Sequence, residues 1–281
     1  MPELPEVEAA RVLVRRVAMG RRIAKVWCAE DPIVFEGRPP AEVRRALVGR
    51  RVKGVGRHGK HLWLELDTRP WPSFHFGMTG GFHAPRKRSV HLVSSGKRKR
   101  TDADAWPPRF AKLRLIFDDG GELVMTDARR LGRIRLRKDP RAETPISALG
   151  FDALLEVPPA TRFAALLAER SAPVKAVLLD QSFAAGVGNW IADEVLYQAR
   201  IAPNRRAASL SRAEGGRLRA ALRSVVRTAV AARADSDRFP KSWLFHHRWG
   251  RDAAAMTARG ERIRHDTIGG RTTAWVPSVQ R

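Results

Sequence analysis

Pro2 and Glu3 are the residues of this 281-residue chain with the clearest capacity for covalent chemistry. Removal of Met1 would leave Pro2 with a free secondary amine. An α-amino group titrates near pH 8, so much of it is unprotonated and nucleophilic at neutral pH. Such an amine can attack an electrophilic sugar carbon and form an iminium, with Glu3 as general acid and base. Proline followed by glutamates is equally typical of a helix start, and the first eight residues alone leave the two interpretations even.

Two glycine-containing loops carry residues suited to opening a base stack. Met78 lies in the loop that follows residues 73–76, and Arg129 lies in the segment 127–132. An apolar side chain inserted between bases, with an arginine filling the vacated space, is what extrusion of a nucleotide requires. Ordinary core packing is the alternative for Met78. Each loop alone favours that alternative, but two such loops in one basic chain favour nucleotide extrusion.

A further group of residues has the chemistry of phosphate binding. The turn at 186–190 opens a helical stretch whose backbone N–H groups can seat a phosphate, and Asn189 adds a side-chain donor. Lys60 lies between two strands, and the Arg271 guanidinium follows a Gly-Gly turn. A plain turn between helices and a solvated lysine are the alternatives, and Lys60 alone favours the second. Ile191 stands where a dinucleotide-binding loop needs its third glycine, which excludes that motif.

The charge balance points to a polyanionic partner. Fifty-three Lys+Arg against 29 Asp+Glu give a net charge of +24, and nucleic acid is the first candidate, with a basic ribosome-type protein as the alternative. The cluster Lys97–Arg100 would be a nuclear address or a phosphate contact, although a solvated surface loop over 85–109 explains it more simply. We find no apolar run long enough to span a membrane and no signal region, so we expect a protein that is not secreted.

Metal and disulfide chemistry find little support in the sequence. Cys28 is the only cysteine, which excludes an internal disulfide, and its apolar surroundings predict a core residue. His246, His247 and His265 have no Cys-x2-Cys partner, so we predict no structural zinc. No cofactor is expected.

The elements that position these residues predict an α+β fold. An amphipathic helix over 2–18 is followed by short strands and a helix at 40–47, which predict an N-terminal β-sandwich flanked by helices, and the tail returns to hairpin character. The predicted domains are a catalytic sandwich at 1–137, a linker at 138–160, a helical domain at 161–240 and a hairpin at 241–281. The predicted strands are 23–29, 51–56, 61–66, 73–76, 113–117, 122–125 and 134–136, and the later helices are 161–169, 173–179, 190–199 and 209–234.

Taken together, five segments resemble the formamidopyrimidine-DNA glycosylase / endonuclease VIII family. They are the start at 2–8, the Met78 loop, the segment 127–130, the segment 175–189 and the Arg271 hairpin. The resemblance implies a β-sandwich, a helix–two-turn–helix domain and a β-hairpin finger, with DNA in a basic cleft. The finger lacks the zinc-binding cysteines of bacterial-type members and so resembles the zincless finger of the plant and fungal branch and of some animal relatives. Segments 235–249 and 269–280 particularly resemble plant-type members.

The resemblance also implies roles for individual residues. Pro2 would attack C1′ of the flipped nucleotide, Glu3 would exchange protons with the opening sugar, and strand cleavage would follow by β- and δ-elimination. The residues expected to hold phosphate are Lys60, placed with the catalytic set, Asn189 and Arg271. Met78 and Arg129 would fill the gap in the duplex. Motif residues with structural roles are Glu6, Lys175 and Gly188.

Two features bear on the substrate. Leu131 stands where many members of the family carry phenylalanine, which removes an aromatic wedge. The stretch 234–240 is short where bacterial-type members carry a loop over 8-oxoguanine, so we expect formamidopyrimidines and hydantoins to be better substrates than 8-oxoguanine.

The predicted function is that of a base-excision-repair glycosylase with AP lyase activity. The expected partner is double-stranded DNA with oxidised bases or abasic sites, bound by a monomer without membrane association. A DNA-containing compartment follows, either a nucleus or a bacterial nucleoid. A damaged-DNA-binding homologue without catalysis is the alternative, and the presence of Pro2 and Glu3 favours the enzyme.

Overall fold

The computed structural model describes residues 1–85, 106–250 and 252–281, and the chain forms two compact units, Met1–Ala148 (unit 1) and Leu149–Arg281 (unit 2). The division falls within the stretch 138–160, for which the sequence predicts a linker. The cluster Lys97–Arg100 lies outside the described residues. Among the described helices, none is both long and apolar enough to cross a membrane.

Unit 1 begins with helix α1 (Leu4–Ala18), close to the predicted 2–18. Glu3 is its N-cap and Glu6 its third residue, and the two form a reciprocal capping box in which each side chain accepts the other residue's backbone N–H. Such a box satisfies N–H groups that have no partner inside the helix. The sequence at the chain start therefore fixes a helix terminus and places Pro2 immediately before it.

Among the described residues of unit 1, eight strands and a second α-helix complete the sandwich. One antiparallel sheet has the order β1-β6-β7-β5 and the other has the order β2-β3-β4-β8. Apolar side chains from both sheets, from α1 and from α2 form one buried cluster. The elements are β1 (Ile23–Cys28), α2 (Pro40–Leu47), β2 (Val52–His58), β3 (His61–Leu66), β4 (Trp71–His75), β5 (Gly81–His83), β6 (Ala111–Phe117), β7 (Glu122–Thr126) and β8 (Arg133–Arg137).

The predicted α+β class and N-terminal sandwich are confirmed. Of the strands described in unit 1, β5 is the one that the sequence did not predict. Three residues are too few to show the two-residue alternation that identifies a strand. Strand β5 pairs with β7, where Gly81 faces Thr126. The Met78 loop therefore connects β4 in one sheet to β5 in the other. There β5 lies beside β7, the strand that the segment 127–132 follows.

The part of unit 2 that the structure describes contains four α-helices and two small sheets. Helix α6 is capped by Ser211 in a capping box with Glu214, so the helix begins at Arg212, three residues after the predicted start at 209. Two-residue strands pair in parallel near the start of the unit, and a hairpin closes it. The elements are β9 (Phe151–Asp152), α3 (Ala160–Ala168), α4 (Val174–Leu179), β10 (Ala184–Ala185), α5 (Asn189–Ala199), α6 (Arg212–Ala231), β11 (Arg264–Ile268) and β12 (Arg271–Trp275).

Candidate active site

Pro2 lies at a small pocket of unit 1, about 70 Å³ in volume, at the start of α1. The opposite wall is the loop that carries Met78 and continues into β5. Among the described residues neither Glu3 nor Lys60 lines this pocket, although Glu6 does. Met1 is in place, so the Pro2 nitrogen is part of a peptide bond and becomes an amine only when Met1 is removed. The lining residues are Pro2, Glu6, Ala10, Phe76, Thr79, Gly80, Gly81, Phe82 and His83.

The two glutamates beside Pro2 have different surroundings. Glu3 is 3% exposed and is engaged at the helix start. Burial and, to a smaller extent, the nearby charge of Glu3 raise the pKa of Glu6 to about 7, while the hydrogen bond from the Glu3 backbone N–H acts in the opposite direction. Glu6 therefore keeps its proton to a higher pH than an ordinary glutamate. The structural role predicted for Glu6 agrees with its place in the capping box.

Lys60 follows Gly59 in the turn between β2 and β3, and it is only 8% exposed. This turn is held by the buried Arg57, whose Nη1 donates to the Gly59 carbonyl at 3.1 Å and whose Nε donates to Glu8 at 2.9 Å. Burial opposes ionisation of Glu8, but its hydrogen bonds to Arg11 and Arg57 lower its pKa. Glu8 belongs to α1, so the helix that follows Pro2 also fixes the turn that carries Lys60.

The Met78 loop is anchored by a neutral histidine. His75 Nδ1 accepts the backbone N–H of Gly77 at 3.2 Å, and its ring stacks on His61 with centroids 4.8 Å apart. Burial lowers the pKa of His75 to about 4 and that of His61 to about 3, with neighbouring positive charges adding to the effect. Because neutral imidazole keeps an acceptor nitrogen, the bond to Gly77 persists at neutral pH. Met78 itself is half-buried.

Asp127 joins the two tip loops, which we define as residues 76–81 and 127–132. It is fully buried and accepts hydrogen bonds from the Thr79 hydroxyl at 2.9 Å, the Arg129 backbone at 3.1 Å and the Gly132 backbone at 2.6 Å. The loops also touch directly, since a Cβ on Gly77 would lie 2.4 Å from the Leu131 carbonyl carbon. Met78 and Arg129, which the sequence predicts to act together, thus lie on joined loops.

The two arginines of the second tip loop have separate roles. Arg130 adopts a left-handed backbone, with φ of 57°, and its guanidinium forms an ion pair with the buried Asp31 at 3.1 Å. Burial would raise the pKa of Asp31, but hydrogen bonds from Lys112 and Arg130 outweigh it and lower the pKa to about 2. Arg129 remains exposed. Arg130 is exposed too but is engaged with Asp31, whereas Arg129, the residue predicted to enter the duplex, is exposed at the tip of the loop.

In unit 2, Asn189 is the first residue of α5 and Gly188 is its N-cap. The Asn189 amide nitrogen donates to the Thr272 carbonyl at 2.8 Å. One of its two N–H groups is thereby committed to the hairpin, which leaves a single amide N–H for a ligand. Gly186 provides the positive φ of 100° that turns the chain into the helix. The predicted contact between Asn189 and phosphate stays a prediction.

A buried group of charges, here called the charge cluster, underlies the finger hairpin formed by β11 and β12. Its members are Lys175, Asp193 and Arg248. Lys175 is fully buried, and its Nζ contacts Asp193 at 2.6 Å and the Thr273 hydroxyl at 2.8 Å. Arg248 Nη2 contacts the other Asp193 oxygen at 2.6 Å. The sequence identified Lys175 by motif but missed Asp193 and Arg248, which no local spacing distinguishes from solvated residues.

Arg271 is exposed at the start of β12, directly after the turn formed by Gly269 and Gly270. The turn packs on α4, since a Cβ on Gly269 would lie 3.0 Å from the Ala176 Cβ. Behind it the finger hairpin has its own apolar core, which includes Tyr197. Within the described ranges, no group of three His, Cys, Asp or Glu side chains is arranged to hold a metal ion.

Comparison with known proteins identifies the family. The model of the formamidopyrimidine-DNA glycosylase N-terminal domain matches residues 1–134, and the model of the formamidopyrimidine-DNA glycosylase H2TH domain matches residues 149–241. Formamidopyrimidine-DNA glycosylase of Arabidopsis thaliana is 43% identical over all of this chain and 71% of its own length. That of Geobacter metallireducens is 32% identical over the full length of both.

Solved structures give the same result. The crystal structure of the MutM (Fpg) protein from Thermus thermophilus superposes with a TM-score of 0.76 at 32% identity, covering 99% of this chain and 98% of that one. A Lactococcus lactis Fpg structure, noncovalently bound to DNA containing an AP site, has a TM-score of 0.80 at 21% identity and covers 99% of both chains. The likeness to the plant protein agrees with the zincless finger. The chain belongs to the formamidopyrimidine-DNA glycosylase family, in its zincless-finger branch.

Proposed function

We propose that this chain removes oxidised bases from DNA and then cleaves the strand, using the Pro2 amine as the nucleophile. The observation that carries the proposal is the position of Pro2 at a pocket shared with Glu6 and with the loop bearing Met78. Family membership supports the same conclusion. A nucleotide must leave the stack before its C1′ can be attacked, and the two tip loops carry the residues suited to that step.

In the proposed reaction the Pro2 nitrogen attacks C1′ and the bond from C1′ to the damaged base breaks, so that the base leaves with the bonding electrons and takes up a proton. The amine proton is lost, and the C1′–O4′ bond opens to give an iminium as Glu3 protonates O4′. Glu3 later takes back a C2′ proton as the C3′–O bond breaks, and loss of the C4′ proton breaks the C5′–O bond. The two flanking phosphates leave, and water hydrolyses the iminium to free the Pro2 amine. Every step uses groups of this chain and water, with no cofactor.

Contacts with DNA phosphates are assigned to Lys60, Asn189 and Arg271. The exposure of Arg271 supports its assignment to a phosphate. The assignment of Asn189 is supported by its position after the N-cap Gly188, at the start of an eleven-residue helix. Lys60 is supported by the firmly held turn described above. We assign Met78 and Arg129 to the space that the flipped nucleotide leaves, because their loops are joined through Asp127.

For the lesion we propose formamidopyrimidines and hydantoins ahead of 8-oxoguanine. The stretch 234–240 is short and packed: Phe239 is buried and its ring lies 5.0 Å from Phe245 and 5.7 Å from Trp190. So closely packed a segment favours substrates that need no extended loop over the base. Equal excision rates from 8-oxoguanine and hydantoin duplexes would refute this preference.

The partner is double-stranded DNA, so the protein works in a DNA-containing compartment. We propose a nucleus or a bacterial nucleoid, and a monomer as the active form. Localisation of a tagged full-length protein tests the first statement, and its sedimentation with and without abasic duplex tests the second.

Borohydride trapping tests the proposed reaction. The purified protein, with Met1 removed, is incubated with duplexes carrying one abasic site, 8-oxoguanine or a hydantoin, and the iminium is reduced to a stable covalent band. The band should disappear in Pro2→Gly and persist in the matched control Pro39→Gly, which alters an exposed proline before α2. Absence of a band with every duplex would leave the second candidate function, recognition of damaged DNA without catalysis.

A further inference from the structure

Phe110 combines two unfavourable features. It precedes β6 with a left-handed backbone, φ of 63°, and its side chain is 48% exposed. A bulky residue in this region of φ is an outlier, and residues held in such strain cluster at binding and catalytic sites. An exposed phenylalanine also gives up the burial that normally stabilises it. Neither the fold nor the proposed reaction accounts for this residue.

The position of Phe110 links it to the tip loops. Its carbonyl accepts the backbone N–H of Asp127 at 3.0 Å, and Asp127 is the residue that joins the two loops. In the sheet, Thr126 faces Gly81 on one side and Ala111 on the other. Strands β5, β6 and β7 therefore have their ends side by side at one edge of the sheet. Phe110 lies at this edge, where both tip loops join the sheet.

The neighbouring charge indicates the kind of ligand. The Arg109 guanidinium lies over the Phe110 ring, 4.8 Å from its centroid, and both side chains are exposed. Arg129 is exposed on the adjacent loop. An aromatic face beside cations is the arrangement that stacks on nucleobases while holding the backbone phosphates. An apolar protein partner would have to remove these arginines from water, which disfavours it.

We propose that Phe110 stacks on the unpaired base left in the duplex when its partner nucleotide is extruded, with Arg109 contacting an adjacent phosphate. This inference rests on the proposed function, since it needs DNA at the tip loops. It adds an aromatic positioning residue to Met78 and Arg129. The strain at Phe110 is then retained for binding and not for folding.

Substitutions at position 110 separate stacking from folding. Loss of base–aromatic stacking should make Phe110→Ala bind a duplex with one abasic site about 5- to 150-fold more weakly. Phe110→Tyr should retain affinity, whereas Phe110→Leu, apolar but not aromatic, should not. Phe110→Gly should raise Tm, because glycine adopts positive φ without strain, and should still lose affinity. Trp27→Ala, which removes a 49% exposed aromatic from β1, is the control and should leave affinity unchanged.

A fluorescent purine placed opposite the abasic site gives a direct readout. Its emission in the complex should be quenched by the wild-type protein and by Phe110→Tyr, and released in Phe110→Leu. Covalent trapping on a single-stranded abasic oligonucleotide should be unaffected by all four variants, because no unpaired opposite base is present. Wild-type affinity in Phe110→Ala, or equal quenching by the Leu and Tyr variants, would overturn the proposal. If neither the wild type nor any variant is trapped covalently on DNA, the proposed reaction is wrong. The affinity and emission measurements still decide the role of Phe110.

Discussion

In unit 1 the tip loops are held by single polar side chains that accept backbone N–H groups, whereas in unit 2 the finger hairpin is held by full charges buried beneath it. His75 and Asp127 act in the first way. Lys175, Asp193 and Arg248 act in the second, with side chains that are 0–6% exposed. The first arrangement fixes the path of a few backbone atoms. The second fixes a whole hairpin against two helices.

The difference matches what each region has to do. Met78 and Arg129 must enter a duplex at a defined point. This requires a defined loop path, which single side chains that accept backbone N–H groups supply. Arg271 needs only a firm support for an exposed guanidinium. Buried charges make such a support sensitive to loss of any one partner, because a remaining charge is then left without compensation. The two regions should therefore fail differently when an anchor is changed.

The largest effect is expected for Asp193→Asn. It leaves Lys175 and Arg248 buried beside a neutral amide, which should lower the free energy of unfolding of unit 2 by about 3–5 kcal/mol. Thermal unfolding measures the loss. Asp266→Asn is the matched control on β11, where the carboxylate pairs with the exposed Arg264 and accepts the Trp275 indole N–H. The Asn oxygen can still accept that N–H, so the variant should cost less than about 1 kcal/mol. Equal losses in the two variants would show that the charge cluster does not support the hairpin.

The next largest effect is a pH dependence of stability caused by Glu6 at the start of α1. The pKa of Glu6 is about 7 in the folded protein and 4.5 as its ordinary value, so the folded state holds the proton more tightly. The contribution of Glu6 to the free energy of unfolding is fully present below pH 4.5. It decreases by on the order of 3 kcal/mol as the pH rises from 4.5 through 7. The difference in unfolding free energy between wild type and Glu6→Gln should fall over this interval when urea unfolding is compared at pH 5 and 8. A difference that is constant with pH would contradict the assignment.

A smaller effect is expected for Asp127→Asn. The amide can replace only one of the two carboxylate oxygens as an acceptor, so a backbone N–H of the second tip loop loses its partner, at about 1–3 kcal/mol. Cleavage of lesion-containing duplex should fall, while trapping on a single-stranded abasic oligonucleotide should be largely kept. Asp119→Asn, at an exposed turn, serves as control. A fall of equal size on both substrates would mean that Asp127 acts on the reaction and not on the loops.

Arg271→Ala should have the smallest effect on stability, since the side chain is exposed on the hairpin surface. Its effect should appear in DNA binding, as a uniform weakening across lesions and a decrease of about one in the slope of affinity against salt. Titration at several salt concentrations measures this, with Arg264→Ala on the neighbouring strand as control. Loss confined to one lesion would assign Arg271 to base recognition.

The sequence predicted most of the elements, while the roles it assigns to Pro2 and Glu3 stay predictions. Particular contacts show what it could not predict. Strand β3 and helix α2 were predicted with their observed bounds, because alternation and helix-ending glycine are local signals. The bond from Lys175 to Thr273 joins residues 98 positions apart, and the pair Asp31–Arg130 joins residues 99 positions apart. Partners so far apart in the sequence leave no spacing pattern. The charge cluster and the different roles of Arg129 and Arg130 were therefore visible only in the folded structure.

The covalent bond to DNA should be formed by the Pro2 nitrogen. Mass spectrometry of the borohydride-reduced complex, digested with protease and nuclease, locates the residue that carries the sugar remnant. We expect a single modified peptide that begins with Pro2, lacks Met1 and carries the remnant on its α-nitrogen. A remnant on Lys60 or another lysine, with Pro2 unmodified, would contradict it.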